Sequence, residues 1–162
     1  MKNAATTPAL GRAAPDFTLP ATGGDSWSLK GARGKNVVLY FYPRDNTPGC
    51  TREGEGFRDL HPSFAQAKTQ VLGISPDSIA SHEKFRARMG LPFALLSDEE
   101  KRVCELFGVW REKSLYGRKF MGVERSTFLI DAQGKLRGEW RKVKVDGHAA
   151  AVLQAARELQ RA

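Results

Sequence analysis

Two apolar runs constrain the fold more than any other feature of this sequence. Asn36-Val-Val-Leu-Tyr-Phe-Tyr42 is a continuous β-branched and aromatic stretch, and Thr69-Gln-Val-Leu-Gly-Ile-Ser75 is of the same kind. Strands that are apolar along their length, rather than alternating, must be covered on both faces. Between them Phe57, Leu60 and Phe64 recur at i, i+3 and i+7, the spacing of one helix face, with Pro62 expected to kink it. Strand, helix and strand in that order point to an α/β domain with helices packed on a buried sheet.

The rest of the chain extends the same alternation. Asp16–Leu19 and Ser26–Leu29 flank Ala21-Thr-Gly-Gly-Asp25 and predict an N-terminal β-hairpin. Ser78–Met89 has helical spacing and stops at Gly90. Phe93–Leu96 predicts a short strand, and Ser97-Asp-Glu-Glu100 has the form of a capping box opening a helix to Phe107. Ser126–Asp131 and Lys135–Arg141 enclose the turn Ala132-Gln-Gly134, and His148–Leu159 predicts a closing amphipathic helix. The expected architecture is a mixed central sheet flanked by helices. Residues 1–14, small and aperiodic, are expected to form a flexible tail ahead of a single domain over residues 15–162.

Charge and cysteine count narrow the function classes. The net charge of +8 raises anionic partners, but the basic runs Arg111–Lys119 and Arg137–Lys144 carry no zinc-finger, helix-turn-helix or RNP pattern. They read as solvated faces, with no nucleic-acid partner expected. Two cysteines cannot form a disulfide scaffold, which fits a reducing cytoplasm. The N-terminus lacks a signal-peptide core and the longest apolar run is too short to span a bilayer, so no membrane partner is expected. Scattered sulfurs and imidazoles make a structural zinc site improbable; no metal or cofactor is expected.

Cys50 has the most informative setting. It lies in Pro43-Arg-Asp-Asn-Thr-Pro-Gly-Cys-Thr51, just beyond the carboxyl end of a central strand, where open α/β sheets gather function. Thr47 suits an N-cap and Pro48 the first helical position, which puts Cys50 at N3. Free backbone N–H groups and the positive end of the helix dipole favour an anion there, so the thiolate is expected to be a nucleophile. Gly49 removes a side chain beside the sulfur and lets a small reactant approach the backbone. The alternative is a small packed core residue, the common fate of an intracellular cysteine.

Pro43, Thr47 and Cys50 match the peroxidatic-cysteine motif of the peroxiredoxins, and "FYPRDNTPGCTREGEGFRDL" resembles their bacterioferritin-comigratory, or Q, subfamily. The similarity continues through "GISPDSIASHEKF", "LLSDEEKRVCELFGVW" and "RSTFLID", covering nearly everything from Ala14 onward. The resemblance implies a thioredoxin-like fold and a monomeric, thiol-dependent peroxidase acting on hydrogen peroxide and small organic hydroperoxides through a Cys50 sulfenic acid. Thr47 would then hydrogen-bond the peroxide, Pro43 would shield the sulfur, and Arg125 would match the family's arginine. A guanidinium stays charged and directs donors at oxygens gaining charge as the O–O bond breaks. Were Ser126–Ile130 an antiparallel neighbour of Val37–Tyr42, Arg125 would reach Cys50.

The sequence departs from the subfamily where a resolving cysteine is usual, with Glu55 at one such position and Arg86 at the other. Cys104, beside Val103 and Phe107, is expected to be a packed core thiol. A one-cysteine cycle follows, with an external thiol such as thioredoxin, glutaredoxin or a low-molecular-weight thiol as reductant. Gly54 and Gly56 each weaken a helix interior by about 1 kcal/mol relative to alanine. They serve either unwinding around Cys50 or close packing. Among rivals, disulfide exchange lacks its C-x-x-C, and a cysteine hydrolase would need a partner among His61, His82 and His148. A basic nucleic-acid-binding or holdase-like protein with a vestigial site would consume no more peroxide than its Cys50→Ser variant.

Overall fold

The computed structural model describes residues 8–161. A five-stranded mixed sheet in the order β5-β4-β3-β8-β9 forms its centre. These strands are β3 (Asn36–Phe41), β4 (Thr69–Ser75), β5 (Leu95–Ser97), β8 (Ser126–Ile130) and β9 (Leu136–Trp140). The two apolar runs pair in parallel with Val38 opposite Val71, and β8 runs antiparallel to β3 with Ser126 opposite Phe41. That register sets Arg125 at the carboxyl end of β3, as the expected neighbour relation required.

Both faces of the sheet are covered, which is why its central strands can be apolar throughout. On one face Val37, Leu39 and Phe41 pack with Cys104, Phe107 and Phe128; on the other Val38, Tyr40 and Tyr42 pack with Cys50, Phe57, Phe64 and Phe85. The rings stack and cross at close range, Tyr40 on Phe57 at 4.7 Å and Phe107 on Phe128 at 5.1 Å between centroids. Truncating any of these phenylalanines to alanine would cost about 3–5 kcal/mol.

Helices α1 (Pro48–Asp59) and α2 (His61–Gln66) join β3 to β4. The expected kink is a break at Leu60: Pro62, lacking an N–H, is tolerated within the first turn of α2. Helix α3 (Ile79–Met89) begins at Ser78, whose hydroxyl accepts the Ser81 N–H, and ends at left-handed Gly90. The N-terminal hairpin pairs β1 (Thr18–Pro20) with β2 (Ser26–Ser28), and α5 (His148–Arg161) closes the chain.

Three departures from expectation have local causes. The helix predicted from Ser97 is only α4 (Arg102–Leu106), because Ser97 completes β5 opposite Ser75 and Lys101 takes a left-handed φ of 62°. The Asp98 carboxylate does the capping instead, accepting the Val103 and Cys104 N–H groups. The basic run Arg111–Lys119 lies within an antiparallel hairpin of β6 (Trp110–Leu115) and β7 (Arg118–Val123), turned at Tyr116 and Gly117, both with positive φ. Of the stretch expected to be a tail, residues 1–7 lie outside the described residues, while Gly11–Ala14 is tied to the sheet. There the Gly11 N–H donates to Leu136 and the Ala14 N–H to Gly134.

Candidate active site

The site is assembled at the carboxyl end of β3 by three elements. Thr47 is the N-cap residue and Pro48 opens α1, so Cys50 occupies N3 as its sequence setting predicts. Its side chain is buried, 1% exposed. The inward face of the first helical turn packs onto Tyr40 and Tyr42, and this covers the sulfur. From β8's leading end, Arg125 sends one guanidinium nitrogen to Cys50 Sγ at 3.3 Å and the other to Glu53 Oε1 at 2.5 Å. Gly49 makes that approach possible, since a Cβ there would stand 3.1 Å from Arg125 Nη2.

Glu53 was not anticipated from sequence. It lies three residues after Cys50, on the same helix face, and that spacing was the available signal. Burial pushes its carboxyl up to about 7, against the opposing pull of Arg125. One carboxyl oxygen, Oε2, and the nearby Tyr40 hydroxyl are buried without hydrogen-bond partners among the described residues. Burial also works against the Arg125 charge, but Glu53 and Cys50 outweigh it and hold the guanidinium's pKa up. A permanently charged, directional donor therefore touches the sulfur inside a largely dry site.

The loop carrying Pro43 and Thr47 is bolted to α3 by a second buried set. The Asp45 N–H donates to Asp77, while its carboxylate accepts from Tyr42 Oη at 2.6 Å, Ser81 Oγ at 2.7 Å and His82 Nδ1 at 2.8 Å. His82 Nε2 faces the Leu96 carbonyl at 2.9 Å. Burial alone would raise the Asp45 carboxyl, but the bonds from His82 and Tyr42 prevail and hold it below the ordinary range. Asn46, at a positive φ of 67°, accepts two bonds from Arg88. Asp45, Asp77 and His82 offer metal-ligating atoms within 4.8 Å of one another, yet hydrogen bonds within the set occupy those atoms.

The remaining sequence candidates separate cleanly. Thr47 is half-buried, and its hydroxyl donates to the Arg44 carbonyl at 2.9 Å rather than capping α1, which leaves the oxygen lone pairs to accept. Pro43 is half-buried on the same loop. Cys104 is fully buried on the opposite face of the sheet from Cys50, and burial raises its thiol far above the ordinary range. His82 and His148 are committed to Asp45 and to Thr127. The side chain that hydrogen-bonds Cys50 is Arg125, which is not the arrangement of a cysteine hydrolase.

The AhpC/TSA family profile matches residues 10–139. A putative peroxiredoxin bcp of Coxiella burnetii is 51% identical over 89% of this chain and 95% of its own length. Peroxiredoxin Bcp of Bacillus subtilis is 49% identical, covering 93% and 96%. Among solved structures, peroxiredoxin Q of Xanthomonas campestris superposes with a TM-score of 0.85 at 45% identity, covering 89% of this chain and 91% of that one. A mutant PrxQ of Xylella fastidiosa gives 0.89 at 39% identity, covering 94% and 97%.

Proposed function

The chain belongs to the AhpC/TSA family, in its Bcp/Q peroxiredoxin branch of thiol-dependent peroxidases, and we propose that it reduces hydrogen peroxide and small organic hydroperoxides through Cys50. The observation that carries this assignment is the Arg125 guanidinium on Cys50 Sγ at the first turn of α1. The Cys50 thiolate attacks the terminal peroxide oxygen, the O–O bond breaks, and the departing alkoxide or hydroxide takes a proton. Sulfur is oxidised to the sulfenic acid, and the peroxide is reduced to alcohol or water. Arg125 supplies donors where negative charge shifts from sulfur to the leaving oxygen. Thr47, its own proton held by Arg44, accepts the peroxide O–H, and Pro43 limits water around the sulfur.

Recycling is of the one-cysteine kind. The sheet separates Cys50 from Cys104, and a bridge between them would require the core to open. An external thiol condenses with the sulfenic acid, releasing water and leaving a mixed disulfide that a second thiol resolves. The reductant is a thioredoxin, a glutaredoxin or a small thiol, and the peroxidase works as a monomer. Both cysteines are free, which fits a reducing compartment such as the cytoplasm; no described helix is long and apolar enough to cross a membrane.

Peroxide consumption by the unsubstituted chain and by Cys50→Ser tests the assignment, with turnover expected only in the former. Equal rates would overturn it and favour a binding role. Mass spectrometry of peroxide-treated protein tests the recycling scheme: an intramolecular Cys50–Cys104 disulfide would refute the one-cysteine cycle.

A further inference from the structure

The β6–β7 hairpin is the chain's most unusual surface. Among the described residues five large hydrophobic side chains are exposed, and four of them, Leu115, Tyr116, Phe120 and Met121, lie on this hairpin. Tyr116 is 95% exposed at its tip, in a positive-φ turn position that favours asparagine or glycine. Neither its burial nor its backbone conformation explains a tyrosine there.

Register sorts the remaining side chains. Leu115 pairs with Arg118, Lys113 with Phe120, and Arg111 with Gly122, so these six share one face, while Trp110 and Val123 turn toward the core on the other. The outer face thus carries three cations and two exposed apolar side chains, with no carboxylate. Gly122 keeps it close-packed, since a Cβ there would stand 3.0 Å from the Lys113 stem. A face of this kind repels a second copy of itself, because a two-fold interface would set its cations against one another. It suits an acidic partner that can also cover apolar surface.

Position identifies the partner. Strand β7 leads through Glu124 directly into Arg125, which holds Cys50, and Phe120 is five residues from Arg125, at most about 17 Å of extended chain. A protein burying about 800 Å² per side would span that distance. We propose that the outer face of the β6–β7 hairpin, with Tyr116 at its tip, docks an acidic protein dithiol that reduces oxidised Cys50. The inference rests on the peroxidase reading above. One thiolate of the partner attacks the Cys50 sulfenic acid, water leaves, and a mixed disulfide forms. The partner's second thiol then displaces Cys50 as a thiol and closes the partner's own disulfide.

The test compares two electron donors, an acidic thioredoxin and dithiothreitol, in peroxide turnover by the unsubstituted chain, by Arg118→Glu/Phe120→Ser and by Tyr116→Ser. The double variant should raise KM for thioredoxin about tenfold or more, and Tyr116→Ser less, with dithiothreitol turnover unchanged in both. In the unsubstituted chain, salt should weaken the thioredoxin reaction between about 20 and 300 mM, as screening of an ionic encounter requires, and leave dithiothreitol turnover alone. A salt-independent thioredoxin reaction, or an unmoved KM in both variants, overturns the proposal. So does an unmoved KM accompanied by loss of oligonucleotide binding, which would assign the face to nucleic acid. No dithiothreitol turnover in the unsubstituted chain would instead overturn the peroxidase reading itself.

Discussion

Replacing Gly54 by alanine tests whether α1 must unwind for the cycle to close. Cys50 is only 1% exposed, so its sulfenic acid meets a thiol when the first turns of α1 open. Gly54 lies one turn beyond it, and an alanine Cβ there would meet Leu91 Cδ2 at 3.6 Å and Tyr40 Oη at 3.9 Å, ordinary contacts that need no rearrangement. The substitution should stabilise the helical state by about 0.8–1.0 kcal/mol, the propensity difference between the two residues. The opened fraction then falls about four- to fivefold, and the rate of sulfenic acid reduction falls with it. Stopped-flow fluorescence resolves the two half-reactions: oxidation by peroxide should keep its second-order rate constant, while reduction by dithiothreitol slows four- to fivefold. Amide hydrogen exchange in α1 gives an independent measure of opening. Greater protection with an unchanged reduction rate would refute the mechanism, because the thiol would then reach the sulfur without unwinding.

Gly56→Ala should act oppositely, because its Cβ would stand 3.2 Å from the Ala149 Cβ of α5, and two helix backbones must separate to relieve it; a urea titration should show a loss of about 1 kcal/mol or more. Arg125→Lys keeps the charge but cannot span Cys50 and Glu53 together, so the oxidation rate constant should fall about 10²- to 10³-fold in stopped flow, with thermal stability changing far less. Glu53 and His148 impose opposite pH dependences on stability. The Glu53 carboxyl, raised by burial to about 7, makes stability fall as pH rises from its unfolded value near 4.5 toward 7. His148, lowered by burial to about 4, makes stability fall as pH drops from 6.5 toward 4. The two slopes oppose between about 4.5 and 6.5, so Glu53→Gln should expose the histidine's and lose about 2 kcal/mol on acidification across that window, read from urea midpoints. A flat profile in the variant would contradict the burial of His148.

Much of the site was legible because its signals are local. Thr47, Pro48 and Cys50 declare a helix start within four residues, and the apolar runs at 36–42 and 69–75 declare strands covered on both faces. The competing readings of the two glycines part in the structure, where Gly56 is pressed against α5 and Gly54 has room. The β6–β7 hairpin escaped notice because Trp-Arg-Glu-Lys-Ser-Leu does not alternate polar with apolar residues, and its turn uses tyrosine where asparagine is the usual signal. The late start of α4 escaped for a related reason, since Ser97 serves a neighbouring strand instead of the capping box its sequence suggests.

From its sequence alone this chain determines which sulfur begins a helix and which strands are buried, properties of residues within a turn or two of one another, and, through matches along nearly its whole length, which family it resembles. Tertiary structure alone decided that Glu53 shares Arg125 with Cys50 across 72 residues, that Asp45 is held by His82 across 37, and that Cys104 faces the other side of the sheet. Hydrogen bonds and burial act through space, and a carboxylate becomes a buried partner only when the fold brings its guanidinium and removes its water.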